Sequence, residues 1–171
     1  MSRRTLAYIV VSVLVIGVLN GLILQKERLL DRGETVYLEL APVDPRSLIQ
    51  GDYMRLDYKV ADAIDNHLPA EHPRGGRVVV RLDDRRVAHF VRLYDGGELA
   101  DDERLLEWRH RTWIYIGSNA FYFQEGHRKL YDDAEYGELR VDESGETILV
   151  GLRDEELEPL GPDATSEPQR D

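Results

Sequence analysis

The chain of 171 residues contains no cysteine. That excludes disulfides, thiolate zinc sites and cysteine nucleophiles, while leaving an oxidising compartment open. Histidine is sparse, at five residues. His67, His72, His89, His110 and His127 form no HxH or HExxH spacing, so no metal site is expected. The acidic runs Asp83-Asp84 and Asp101-Asp102-Glu103 lack the alternating ligands and the glycine of a calcium loop, and they read as solvated faces. None of these patterns calls for a cofactor, and no internal repeat is visible.

Positive charge is also short, with 22 Lys+Arg against 33 Asp+Glu and a formal net charge of −11. The imbalance is uneven along the chain. Arg3, Arg4, Lys26 and Arg28 against Glu27 give residues 1–28 a charge of +3, which leaves −14 for residues 29–171. A domain that acidic repels phosphate, so nucleic acid and anionic lipid surfaces are poor partners for it.

The clearest feature present is "LAYIVVSVLVIGVLNGLIL", Leu6 to Leu24, which carries no charge. About 19 residues at about 1.5 Å each span roughly 29 Å, which matches a hydrocarbon core of about 30 Å. A cleaved signal peptide has a shorter apolar region and a small-x-small cleavage site, and "LILQKERLL" offers neither. Residues 1–28 therefore read as an uncleaved membrane anchor with its flank. Arg3 and Arg4 before the span nearly balance Lys26, Arg28 and Arg32 after it. The very short N-terminal flank favours an inside N-terminus and an exported remainder. Asn20 and the small-xxx-small pair Gly17 and Gly21 would permit close helix–helix approach within the span.

Beyond Asp31 the pattern alternates with period two. "ETVYLELA" places Val36, Leu38 and Leu40 on one face. "YMRLDYKV" reads as a strand with Met54, Leu56, Tyr58 and Val60 together, opposite Tyr53, Arg55, Asp57 and Lys59. "RVVVRL" and "VAHFVRL" flank a hairpin turn at residues 83–86, and "GELRVD" and "ETILVGL" flank another at Glu143-Ser144-Gly145. "RTWIYIG" and "AFYFQ" are aromatic-rich strands suited to a pleated surface. Helix is expected only just after the span, over "DDERLLEWRHR", and as a turn or helix in "EGHRKLYDDAEYG"; "DNHLPAEHPRGG" reads as a loop. The fold class is mainly β: an N-terminal transmembrane helix, then an antiparallel β-sandwich or small barrel-like domain of roughly eight strands over residues 29–160. Residues 161–171 read as a disordered tail.

Candidate chemistry centres on two carboxylates. Asp52 follows a glycine at a strand entrance, where it can brace a turn or act as a general base. Glu125 sits beside Gly126 at the end of an aromatic strand, and the two could meet as an acid–base pair. Membrane-anchored signal peptidases also carry a Pro…Gly-Asp stretch leading into a strand. Here no serine precedes Pro45, Ser47 lies after it, and Lys59 has no partnered nucleophile, so that reading is rejected.

"LIQGDYMRLDY", together with "DPRSLIQGDYM", "FYFQEGHRKLYDDAEYGELRVD" and "ETILVGLRDEELEPLGP", resembles the bacterial GDYXXXLXY family, whose biochemical function is not established. The resemblance covers most of residues 34–162. One departure stands out: that label puts three residues between the GDY tyrosine and the leucine, whereas Met54 and Arg55 are two. On a strand parity decides the face, so Leu56 and Tyr58 should point away from Tyr53. The resemblance implies an N-terminal membrane anchor with a β-rich exported domain, and an accessory or binding subunit beside a multi-spanning membrane protein. The expectation is thus a bacterial inner-membrane protein with a cytoplasmic N-terminus and a periplasmic domain. Asp52, Tyr53, Arg55, Glu125 and His127 are its candidate ligand- or partner-binding residues. The alternative is a hydrolase of an envelope polymer that uses Asp52 and Glu125.

Overall fold

The chain divides at Gly33, where one long helix gives way to strands that begin with period-two burial. Before it, the uncharged run forms helix α1 (Arg3–Arg32), whose window of highest hydropathy is wholly unburied. It is one helix long and apolar enough to cross a membrane. A computed structural model describes residues 3–41, 53–69 and 73–162. After α1 come β1 (Glu34–Glu39), β2 (Tyr53–Arg55), α2 (Lys59–His67), β3 (Gly75–Leu82), β4 (Ala88–Leu93) and β5 (Glu103–His110). They are followed by β6 (Ile114–Ile116), β7 (Ala120–Tyr122), a 3-10 turn (Arg128–Tyr131), β8 (Tyr136–Val141) and β9 (Thr147–Arg153).

The strands form three antiparallel sheets, in the orders β1-β8-β9, β2-β7 and β4-β3-β5-β6. The two larger sheets share one core, to which β1 contributes Val36 and Leu38, β3 contributes Val78 and Val80, β5 contributes Leu106 and Trp108, and β8 contributes Leu139. The sheets are stitched where β1 begins. Tyr37 bridges Val87, and the Glu34 carboxylate accepts from Arg86 at 2.7 Å and from Arg104 at 2.5 Å. Hydrogen bonding by Arg104 holds the Glu34 carboxyl below its usual range.

Both expected hairpins form, each by an aspartate that braces its own turn. Asp83 Oδ1 accepts from the N–H groups of Arg85 and Val87, and Asp142 Oδ1 accepts from those of Ser144 and Glu146. Gly145 sits at φ +91 in the second turn, a conformation that a side chain would strain.

Two expectations fail. "DDERLLEWRHR" is not a helix: its core is strand β5, paired on one side with β3 and on the other with β6. Glu103, the end of an acidic run that reads as a solvated face, is instead a buried carboxylate facing Arg92 at 3.3 Å and Arg81 at 3.5 Å. Nor does the strand at Tyr53 run on to Val60. It stops at Arg55, and Tyr58 becomes the extended residue that opens α2. Val60, Ala61 and Ile64 then bury a helical face. Its N-cap residue, Tyr58, makes no side-chain cap hydrogen bond among the described residues, so the usual start signal is missing. As a result Asp65 to His67 are helical rather than loop, and Lys59 lies at a helix start, where it pairs with Glu39.

Tyr58 is fully buried and central. Its hydroxyl donates to the Ser118 carbonyl at 3.0 Å, and burial pushes its pKa up. Its ring lies against Gly137, where an added Cβ would stand 3.0 Å from Tyr58 Cε1 and 3.2 Å from the hydroxyl. Tyr58→Phe should therefore lose roughly 1–2 kcal/mol by orphaning the Ser118 carbonyl, and Gly137→Ala roughly 1–3 kcal/mol by overpacking. Because the hydroxyl is one of the clashing atoms, the double variant should lose less than the sum. Urea unfolding of the four proteins checks this, and strict additivity would contradict it.

Candidate functional site

Strand β2 is only Tyr53, Met54 and Arg55, yet its alternation sorts the local chemistry. Met54 packs inward against the core, and the following Leu56 and Tyr58 are buried. Tyr53 and Arg55 take the other face, as parity requires. The register of β2 with β7 sets Tyr53 opposite Tyr122, Met54 opposite Phe121 and Arg55 opposite Ala120. The Tyr53 and Tyr122 rings lie 5.7 Å apart, and Tyr122 is 75% exposed.

Arg55 extends this face. Its guanidinium stands 4.6 Å from the centre of the Trp113 ring and bonds Asp57 Oδ2 at 3.0 Å. Trp113, just before β6, is itself exposed. Tyr122, Tyr53, Arg55 and Trp113 thus form a continuous outward strip held in place by a ring contact, a cation–π contact and an ion pair. Beside it is a cleft of about 300 Å³ whose lining includes Trp113, Arg55 and Asp57 together with Asp62 and Asp65 of α2. Burial, with the charges of Asp57 and Asp65, raises the Asp62 carboxyl above its usual range.

A second groove, of about 510 Å³, opens between β7 and β9. Its walls include Phe123, His127 and Leu160, and it contains the ion pair of Arg153 with the buried Glu138 at 2.5 Å. Tyr131 is also buried there, with Phe121 and Phe123 rings 5.1 and 5.5 Å away.

Of the residues singled out from the sequence, Tyr53 and Arg55 share the strip and His127 lies in the other groove. Glu125 is exposed in the turn after β7. Asp52 lies outside the described residues, as do His72, Ser47 and the rest of Pro42 to Gly51. The remaining histidines serve local roles: His67 packs on Phe90 at 4.6 Å, His89 meets Asp83 at 3.1 Å, and the His110 N–H donates to the Arg74 carbonyl. Among the described residues no cluster of His, Asp and Glu is arranged to hold a metal ion. Sequence reasoning missed Tyr122, Trp113 and Asp57, which had read only as sheet formers or as an alternating polar position.

A family model described as "GDYXXLXY protein" matches residues 15–152. Its signature has two residues between the tyrosine and the leucine, the spacing of Tyr53 to Leu56, so the expected departure from a three-residue spacing does not exist. No curated protein and no solved structure matches the chain.

The raised Asp62 carboxyl gives a pH prediction. A carboxyl raised on folding contributes stability that is full below its unfolded value and is lost as pH rises through its folded value. Asp62→Asn should therefore raise Tm at about pH 7 and leave it unchanged at about pH 3. Thermal melts at the two pH values check this, and an equal effect at both would contradict it.

Proposed function

The chain belongs to the GDYXXLXY family, and from that membership and the geometry above we propose that it is a single-pass membrane protein whose exported β-domain binds a multi-spanning membrane protein as an accessory subunit. The setting this implies is a bacterial inner membrane, with the N-terminus in the cytoplasm and the domain in the periplasm. The observation that carries the reading is the strip of Tyr122, Tyr53, Arg55 and Trp113. Tyrosine, tryptophan and arginine are the side chains most enriched where binding energy concentrates; the two aromatics bury large area at little entropic cost, and the Arg55 guanidinium is already ordered by Trp113 and Asp57. Here they stand outward and pre-ordered, and Trp113 is 44% exposed. None of the four is a carboxylate or imidazole, the commonest groups for proton transfer, and their chemistry suits recognition.

The anchor adds a geometric reason. Gln25 and Lys26 at the end of the apolar run both bond Glu146, in the turn between β8 and β9, and Leu29 is buried. The domain is therefore held close to the membrane, within reach of a membrane-embedded partner.

A photo-crosslinking amino acid at position 122 or 113, at native expression, should capture the same multi-spanning membrane protein. One at Leu99, an exposed site in the β4–β5 connection, should not. Arg55→Ala should cut capture at 122 roughly tenfold, about 1.4 kcal/mol. Recovery of monomer alone from both strip positions would contradict the reading.

A further inference from the structure

A cavity of about 760 Å³ lies between the end of α1 and the β-domain. Gly21, Gln25, Arg28 and Arg32 line one side of it. Their spacing of four, three and four residues places them in one stripe along the helix. Arg104, Val141, Asp142 and Glu143 line the other side. Arg104 is occupied by Glu34. Arg28 and Arg32 form no ion pair and no side-chain hydrogen bond among the described residues.

Height decides what such a cavity meets. The apolar run ends at Leu24. At about 1.5 Å per residue, Gly21 lies roughly 5 Å inside that boundary, Arg28 roughly 6 Å beyond it and Arg32 roughly 12 Å beyond it. The headgroup layer on each side of the hydrocarbon is about 5–8 Å thick. The cavity thus opens on acyl chains at Gly21, with Arg28 at the level of lipid phosphates and Arg32 about one turn above, where a long flexible side chain can reach back toward that layer. Facing them are the carboxylates of Asp142 and Glu143, which would repel a purely anionic headgroup. Asp142 Oδ1 is used within its turn, while Glu143 is exposed.

We propose that this cavity is a binding site for one phospholipid with a zwitterionic phosphate–ammonium headgroup. Its phosphate sits between Arg28 and Arg32, its ammonium at Glu143, and an acyl chain lies along the Gly21 face. Guanidinium groups suit phosphate because their fixed fork of donors matches its oxygens. The net charge of −14 on residues 29–171 favours this headgroup over an anionic one. The inference rests on the anchored reading above, because only there do these residues face lipid.

The test is native mass spectrometry of the full chain in dodecyl maltoside, with phosphatidylethanolamine, phosphatidylglycerol or inorganic phosphate added in turn. The same cells are fractionated by alkaline carbonate extraction. The expected result is a single phosphatidylethanolamine adduct that survives delipidation, with phosphatidylglycerol bound at least tenfold more weakly and no competition from millimolar phosphate. Arg28→Gln/Arg32→Gln should lower the adduct at least tenfold at unchanged Tm, and Glu143→Gln should narrow the preference between the two lipids. Adducts that follow a random distribution and persist in the double-arginine variant would overturn the site. So would equal occupancy by phosphatidylglycerol, or displacement by inorganic phosphate. Carbonate-resistant protein without a specific adduct overturns this inference alone, whereas carbonate-extracted protein overturns the anchored reading with it.

Discussion

The last turns of α1 do not stop where its apolar run stops; they continue into the β-domain, where Leu29 is 4% exposed and Lys26 and Gln25 both bond Glu146. The magnitudes separate these contacts. Burying a leucine is worth about 1.5–3 kcal/mol, while an ion pair as exposed as Lys26 with Glu146 is worth at most about 1 kcal/mol. Leu29 therefore supplies the attachment and Glu146 fixes its direction. Arg140 adds to the junction by donating to the Gly33 carbonyl at 3.4 Å and to Thr35 Oγ1 at 2.6 Å. On the proposed membrane reading, a helix joined in this way sets the height of the domain above the bilayer, and the cavity beside Arg28 and Arg32 exists only because helix and domain are held together.

The family motif divides into two physical roles. Its leucine and final tyrosine, Leu56 and Tyr58, are core, and Tyr58 also opens α2. Its first tyrosine, Tyr53, points the other way, onto Tyr122. A single short strand therefore ties the interior of the domain to its outward strip, and the residue between the two core positions, Asp57, orders Arg55. The motif reads as a device that positions a surface by burying its neighbours.

The sequence made the β1 and β3 strands, the Asp-braced hairpins and the facing of Tyr53 legible, because those features depend on alternation and on turn chemistry a few residues apart. Strand β5 was hidden because the partners of Glu103, Arg81 and Arg92, come from other strands. Helix α2 was hidden because its first residues satisfy both periods and its cap position is a tyrosine. The strip was half legible: Tyr53 and Arg55 could be read from parity, whereas Trp113 and Tyr122 join them only through strand pairing and a cation–π contact across the fold.

The buried Leu29 contact and the bonds to Glu146 imply that α1 and the β-domain move as one body. The absence of cysteine makes it directly measurable, since spin labels at Ile23→Cys in the anchor and Leu99→Cys in the domain would be the only ones present. Pulsed electron–electron double resonance in liposomes should give one narrow distance distribution, broadened when Leu29→Ala removes the buried contact. A broad distribution in the otherwise unaltered chain, or a narrow one indifferent to Leu29→Ala, would contradict the account.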